Sequence, residues 1–233
     1  MKNIAKIGLL LCFLLTCASP AVAAEKPSTC YGTPSKGSLK NGVELPEKGE
    51  NFEPFTSLAV MLGRTYVHST VKAVVVESYQ KLAKQFPDTK FMYGETGWEE
   101  GGKFAPHKTH RNGTSVDFMV PVLDKQGRSV ALPTSVFNKF GYNIEFDKNG
   151  KYENLTIDFE ALAAHIYFLE EAARKQKVSI QRVIFDPRLQ PLLLKTKFGK
   201  KLKSKLKFNA KQAWVRHDEH IHVDFDIPCQ KKK

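Results

Sequence analysis

Three of the seven histidines lie within six residues near the C-terminus, in the stretch WVRHDEHIHVDF (214–225). Histidine is a common metal ligand and proton carrier, so His217, His220 and His222 are candidates for chemistry. Side chains alternate between the two faces of a β-strand, which would place His220, His222 and Asp224 together on one face. The opposite face would then be apolar, with Ile221, Val223, Phe225 and Ile227. The HxH pair alone leaves a metal site, a catalytic relay and a polar edge strand open.

A second cluster of candidate ligands lies in the stretch GGKFAPHKTHRNGTSVDFMVP (101–121). It contains His107, His110 and Asp117. Asn112-Gly113 is a turn signal, so His110 can fold back over the strand that carries Asp117. That strand is predicted because Val116, Phe118 and Val120 alternate as an apolar row, which places Asp117 on the opposite face.

His110, Asp117 and one histidine of the HxH pair would form a three-ligand site with an open fourth position. This arrangement is typical of a catalytic rather than a structural zinc. We therefore predict one zinc ion per chain. His165, outside both clusters, lies in a helical segment, and we expect it to be packed or at the surface.

The segments around these residues predict a mixed fold. Helices are predicted at 70–86, at 158–175 with an Asp cap, and within 188–206. Strands are predicted at 90–95, 179–187 and 220–227. Loops are predicted at 30–54 and over much of 94–115 and 120–155. Because the few strands and the helices are segregated, we predict an α+β domain with a small antiparallel sheet that carries the metal site.

The N-terminus has the features of a cleaved secretory signal: two early lysines, a short apolar core at 7–15 and small residues near position 23. We expect a signal peptide at 1–24 and a single exported domain at 25–233, with no membrane attachment after cleavage. A lipid anchor at Cys17 is the alternative, although the residues before it match a lipidation motif poorly.

The cysteine count changes once such a signal is removed. Only Cys30 and Cys229 remain, one near each end of the chain. In an oxidising compartment two such cysteines predict a disulfide, and neither has the CxxC partner that a metal role would favour.

The formal net charge is +12, and much of it lies in the lysine-rich segment 195–211 and the tail 231–233. For an exported protein we expect an anionic envelope polymer rather than nucleic acid as the partner of this charge. A solvated face that only keeps the protein soluble is the alternative. The sequence indicates no oligomeric state.

Across most of the mature chain the sequence resembles the penicillin-insensitive murein endopeptidases. The spaced H-x6-D and HxH motifs fit the wider group of zinc peptidases named for lysostaphin, the D-Ala-D-Ala metallopeptidases and sonic hedgehog. The more specific segments are GSLKNGVELPEKGENF, RTYVHS, YGETGWEEGGKFAPHKTH, VIFDPRLQ and WVRHDEHIHV.

This resemblance implies a periplasmic zinc peptidase with the fold of that group. Its substrate would be the D-Ala–diaminopimelate cross-links of peptidoglycan. It implies that zinc is bound by His110, Asp117 and His222, and that zinc activates the attacking water.

The resemblance also implies roles for the neighbouring side chains. His220 would act beside the metal as a general base or as a stabiliser of the tetrahedral intermediate. His217 would be a second active-site histidine and His107 an accessory group.

Two residues depart from the family pattern: Glu219 stands where an aromatic residue is expected, and Asp224 where a basic one is expected. Because Asp224 shares a strand face with His222, we expect it to accept a hydrogen bond from that ring.

Three other interpretations are weighed against this one. A D,D-carboxypeptidase of the same zinc group would remove only terminal D-Ala. A catalytically silent zinc domain would bind the wall without any need for His217 and His220. A serine mechanism rests on Ser69-Thr70-Val71-Lys72, which fits S-x-x-K but lacks the partner motifs, so we interpret Ser69 as a helix cap.

Overall fold

A computed structural model describes residues 26–231, so the predicted signal peptide at 1–24 lies outside the described residues. The described strands are β1 Thr29–Thr33, β2 Lys36–Lys40, β3 Val43–Glu44, β4 Phe52–Pro54, β5 Tyr66–Val67, β6 Phe91–Tyr93, β7 Ser115–Met119, β8 Val122–Leu123, β9 Ser129–Val130, β10 Lys151–Tyr152, β11 Leu155–Ile157, β12 Ser179–Ile184 and β13 His220–Asp226. The described helices are α1 Ser57–Met61, α2 Ser69–Gln85, α3 Phe159–Lys175, α4 Gln190–Lys195 and α5 Lys197–Leu202. The predicted α+β class is confirmed.

The largest sheet has the strand order β12–β13–β7–β6–β4. Its strands pair antiparallel, except that β4 runs parallel to β6. The predicted last strand, β13, lies between β12 and β7, and its residues Ile221, Val223 and Phe225 enter the hydrophobic core. The predicted division of this strand into an apolar and a histidine face is therefore confirmed.

The helix ends follow local capping. Asp158 caps α3 as predicted, because its carboxylate accepts a backbone N–H of the first turn. The prediction that Ser69 caps α2 is wrong, since His68 fills that position and accepts a backbone N–H through Nδ1. The single helix expected within 188–206 is two helices, because Thr196 has an extended conformation between them and caps the second.

The prediction of a loop at 30–54 is wrong, since this range contains most of the hairpin β1–β2 as well as β3 and β4. Cys30 lies opposite Leu39 in the hairpin and both are buried. The glycines and serines between them conceal this alternation in the sequence. The predicted disulfide between Cys30 and Cys229 is confirmed. It lies against Asn112, whose Nδ2 donates to Cys229 Sγ at 3.5 Å.

The two segments predicted to be long loops differ in secondary structure. Residues 94–114 contain none of the strands or helices above, as predicted. Residues 120–155 instead contain β8, β9 and β10, and with β11 these strands form a second sheet in the order β10–β11–β8–β9. Within the part of the chain that the structure describes, no helix is long and apolar enough to cross a membrane.

His165 is packed, which is one of the two placements expected for it. Its ring lies 4.7 Å from that of Phe118 on β7, 5.5 Å from Phe91 on β6 and 4.8 Å from Tyr79 on α2, centroid to centroid. Both ring nitrogens are buried without a hydrogen-bond partner. Burial lowers the pKa of His165 to about 3. This contact places α2 and α3 on the core face of the sheet, opposite the histidine face.

The buried imidazole predicts a pH-dependent stability. In the unfolded chain His165 binds a proton below about pH 6.5, whereas in the folded protein it does so only below about pH 3. Protonation therefore favours the unfolded chain, and the free energy of unfolding falls as pH falls between these two values. From pH 7 to pH 5 we expect a loss of about 2 kcal/mol from this residue. Urea unfolding of the wild type and of His165→Phe at both pH values measures it. If the difference in stability between the two proteins were the same at pH 7 and pH 5, the prediction would be contradicted.

Candidate functional site

The site begins with a pairing between two central strands. Asp117 on β7 and His222 on β13 lie directly opposite one another in the antiparallel register. Opposite residues in such a pair have Cβ atoms about 5 Å apart. His222 Nδ1 lies 2.8 Å from Asp117 Oδ1, and both side chains are buried. The register alone therefore joins the two motifs that are more than a hundred residues apart in sequence.

His110 reaches the same carboxylate from the loop before β7. Its Nε2 lies 3.3 Å from Asp117 Oδ1, and its Nδ1 lies 3.0 Å from the carbonyl oxygen of Thr96. A carbonyl can only accept, so Nδ1 carries the proton and Nε2 presents a lone pair. This Nε2 is buried and has no hydrogen-bond partner.

The backbone at His110 is unusual, because its φ of +65° lies in the left-handed region that few non-glycine residues adopt. The neighbouring chain must also approach closely. A Cβ on Gly97 would lie 2.8 Å from the carbonyl oxygen of His110, so only glycine fits there. The left-handed backbone of His110 therefore depends on the close approach of the chain at Gly97.

His222 is held on its other side by Asp224. His222 Nε2 lies 2.9 Å from Asp224 Oδ1, which also accepts from Ser115 Oγ at 2.6 Å. Arg182 Nε donates to the second oxygen of Asp224 at 2.9 Å. The carboxylate is thus fully engaged and fixes the plane of the His222 ring.

Asp117 is held in the same way. Tyr142 donates its hydroxyl to Asp117 Oδ2 at 3.1 Å and accepts the backbone N–H of Glu95 at 3.2 Å. Oδ2 is therefore directed to Tyr142, and Oδ1 faces His110 and His222.

His107 lies at the edge of this group. Its Nε2 hydrogen-bonds to Glu95, whose carboxylate also pairs with Arg64, and its Nδ1 is 3.8 Å from Asp117 Oδ2. Ligand atoms of His107, His110 and Asp117 lie within 4.8 Å of one another, so these side chains form a group that could hold a metal ion.

His220 and His217 flank the group on the side of β13. The Nε2 atom of His220 is 3.9 Å from Asp117 Oδ2, and its Nδ1 is 2.8 Å from Glu219 Oε1. The His217 ring lies 4.5 Å from the His220 ring, and its Nδ1 donates to the carbonyl of Val215 at 3.0 Å. Both histidines are buried.

A cleft of about 910 Å³ is lined by Asp117 and by the histidines His107, His217, His220 and His222, whereas His110 is fully buried and is not part of the lining. The walls of the cleft include Tyr142 on one side and the segment 213–217 on another. Trp214 of this segment is 62% exposed, so an aromatic face is available beside the histidines. The cleft is large enough for a peptide segment.

Comparison with known families decides the class of the protein. Residues 30–233 match the family described as penicillin-insensitive murein endopeptidase. The chain belongs to this family. The endopeptidase is therefore a metallopeptidase that acts on peptidoglycan, and the resemblance seen in its motifs is confirmed. No curated protein gives a significant match.

Charge in the endopeptidase site is unevenly distributed. Burial raises the pKa of Asp117, but the neighbouring histidines outweigh it and hold that pKa well below its ordinary value. Burial also lowers the pKa of His222, yet its two flanking carboxylates raise it to about 10. At three other histidines burial is the largest effect. It lowers the pKa of His110, lowers the pKa of His220 to about 4 and lowers the pKa of His217 to about 3. These last three imidazoles are therefore neutral at pH 7.

The structure brings the side chains of the two predicted clusters to one site, in which His110 and Asp224 are buried and the others line the cleft. Ser69 and His165 do not line it.

Sequence reasoning missed Tyr142, Glu95 and Thr96. Thr96 acts through its backbone carbonyl and Tyr142 lies in an aperiodic loop, so no sequence signal identifies these two. Glu95 lies within the segment YGETGWEEGGKFAPHKTH, whose family resemblance was the available signal for it. No role for Glu219 followed from the sequence, and its position next to the HxH pair was the one indication that it could belong to the site.

Proposed function

We propose that the protein is a zinc-dependent endopeptidase that hydrolyses D-Ala–diaminopimelate cross-links of peptidoglycan in the periplasm. Residues 25–233 would act as a single domain with one zinc ion. The observation that carries this proposal is the convergence of His110 Nε2, Asp117 Oδ1 and His222 Nδ1, with the other polar atom of each side chain held elsewhere.

The donor set suits zinc. Two imidazole nitrogens and one carboxylate oxygen are the ligands that catalytic zinc sites use, and they leave a fourth position for water or substrate. The buried, unpartnered Nε2 of His110 is a lone pair without a protein partner, which a metal ion would satisfy. Outer hydrogen bonds to Thr96 and Asp224 would fix the ring orientations, as is usual for metal-bound histidines.

His222 is preferred to His107 as the third ligand. His107 lies close enough to belong to a possible metal group, but its Nε2 is taken by Glu95 and its side chain is 18% exposed. His222 is buried and directs Nδ1 at the oxygen of Asp117 that also faces His110. We therefore assign His107 an accessory role.

Zinc held by these residues would polarise the scissile carbonyl and would lower the pKa of the attacking water to about 7. The Nε2 atom of His220 lies 3.9 Å from Oδ2 of Asp117, one of the residues that would hold the metal. Because His220 is neutral, it can take a proton from the attacking water and return it to the leaving amine. No covalent acyl-enzyme is required.

Glu219 positions His220 in this scheme. Its carboxyl is buried and lies 2.8 Å from His220 Nδ1, while its other oxygen accepts the N–H of Asp218 at 3.2 Å. This contact directs Nε2 of His220 towards the cleft. His217 packs against the His220 ring and supports the same orientation.

The ligand and proton-carrier roles predict different defects. His110→Ala and His222→Ala should lose both zinc and activity, because each removes a ligand. His220→Ala should retain zinc and lose about 100-fold or more in kcat, the usual contribution of a general base. Zinc content and muropeptide release from purified sacculi measure the two properties separately.

The same digestion separates the alternatives. Loss of cross-linked dimers supports the endopeptidase, whereas removal of terminal D-Ala alone would indicate a carboxypeptidase. Binding of zinc-loaded wild type to sacculi without cleavage would indicate a silent wall-binding domain. Full activity of His220→Ala would refute the role given to that residue.

The positioning role of Glu219 predicts a graded series. Glu219→Ala should lower kcat by about 10- to 100-fold with zinc content and KM unchanged, because removal of an orienting partner disturbs a residue that reacts. Glu219→Gln keeps a hydrogen-bonding group of the same shape and should recover much of this loss. Equal activity of Glu219→Ala and wild type would exclude the role, as would a parallel loss of zinc.

A further inference from the structure

The segment 195–211 forms a cationic surface outside the catalytic cleft. It contains eight lysines and no acidic residue, so it contributes +8 to a formal net charge of +12. All eight side chains are exposed: Lys195, Lys197, Lys200, Lys201, Lys203, Lys205, Lys207 and Lys211. We refer to these residues as the lysine face.

The apolar residues of the same segment point inward. Phe198 and Leu202 are buried in the core, and Leu206 and Phe208 are half-buried against it. A basic helix that binds a membrane instead presents apolar side chains for insertion between lipids. The lysine face offers only charge, which suits a hydrated anionic polymer.

This charge is poorly neutralised by the protein. Within residues 26–231, Lys205 is the one lysine of the face with an ion pair, to Glu170 at 3.7 Å. Lys201 and Lys205 also lie over the ring of Tyr167, at 5.0 and 4.8 Å. Clustered charges of one sign produce a surface potential that concentrates oppositely charged ligands.

The lysine face precedes one wall of the cleft along the chain. Lys211 is two residues from Ala213, where the wall formed by 213–217 begins. On this wall, Lys108 Nζ lies 4.3 Å from the centre of the Trp214 ring and adds a further positive charge. The C-terminal end of the face thus adjoins the cleft wall in sequence, whereas Lys201 and Lys205 lie over Tyr167 on α3, on the other side of the sheet. The face could therefore contact a part of an extended polymer other than the peptide in the cleft.

We propose that the lysine face binds the free carboxylates of uncut peptidoglycan and holds the enzyme on its polymeric substrate. This inference rests on the proposed function for its choice of polymer. A D-Ala–diaminopimelate cross-link leaves a carboxylate on the diaminopimelate, so the wall around each cleaved bond is anionic. The face then raises the local concentration of cross-links without taking part in hydrolysis.

The test uses charge reversal at three exposed positions that follow α5. The variant Lys203→Glu, Lys207→Glu, Lys211→Glu is compared with the control Lys48→Glu, Lys125→Glu, Lys148→Glu, which has the same net charge and changes exposed positions elsewhere. Sacculus binding is measured by co-sedimentation in the His220→Ala background. Turnover is measured with the active enzymes on sacculi and on a small soluble cross-linked muropeptide.

We expect the first variant to bind sacculi about 10-fold or more weakly at low salt, and the control to bind nearly as the wild type does. Wild-type binding should weaken as salt rises, because exposed charges are screened. Turnover of the soluble muropeptide should be equal in all three proteins, while digestion of sacculi should slow in the first variant alone.

Three results would overturn the proposal. They are unchanged sacculus binding by the first variant, an equal loss in the control, and binding to vesicles of anionic phospholipid in place of sacculi. Failure of the proposed function is separate, because it would abolish turnover of the soluble muropeptide in every protein.

Discussion

The site depends on the register between β7 and β13. Their antiparallel pairing sets His222 directly opposite Asp117. A shift of one residue would turn every side chain of β13 to the other face, exposing Ile221 and Val223 to the cleft and burying histidines in the core. The hydrophobic core therefore specifies the site, because the same alternation that buries the apolar row presents the histidines.

Burial gives these side chains their chemistry, and outer hydrogen bonds compensate for its cost. A buried carboxylate or imidazole is unfavourable unless its polar atoms find partners. Thr96, Tyr142 and Asp224 each satisfy one polar atom of the central three side chains and leave the other directed inwards. His220 and His217 remain neutral because burial opposes their protonation.

The sequence predicted the parts of this arrangement that depend on periodicity. Strand alternation predicted the two faces of β13, the helical spacing predicted α2 and α3, and the motifs predicted which residues meet. The partners Tyr142 and Thr96 could not be predicted, because one lies in an aperiodic loop and the other contributes a backbone carbonyl. Short strands such as β1 and β2 were missed since glycine and serine conceal their alternation.

The central claim is that Asp117 and His222, with His110, hold the metal through specific atoms. A crystal structure of the zinc-loaded protein, with anomalous data at the zinc edge, tests it most directly. We expect one zinc ion about 2.0–2.2 Å from His110 Nε2, Asp117 Oδ1 and His222 Nδ1. Zinc bound by His107, His110 and Asp117, with His222 still hydrogen-bonded to both carboxylates, would contradict it.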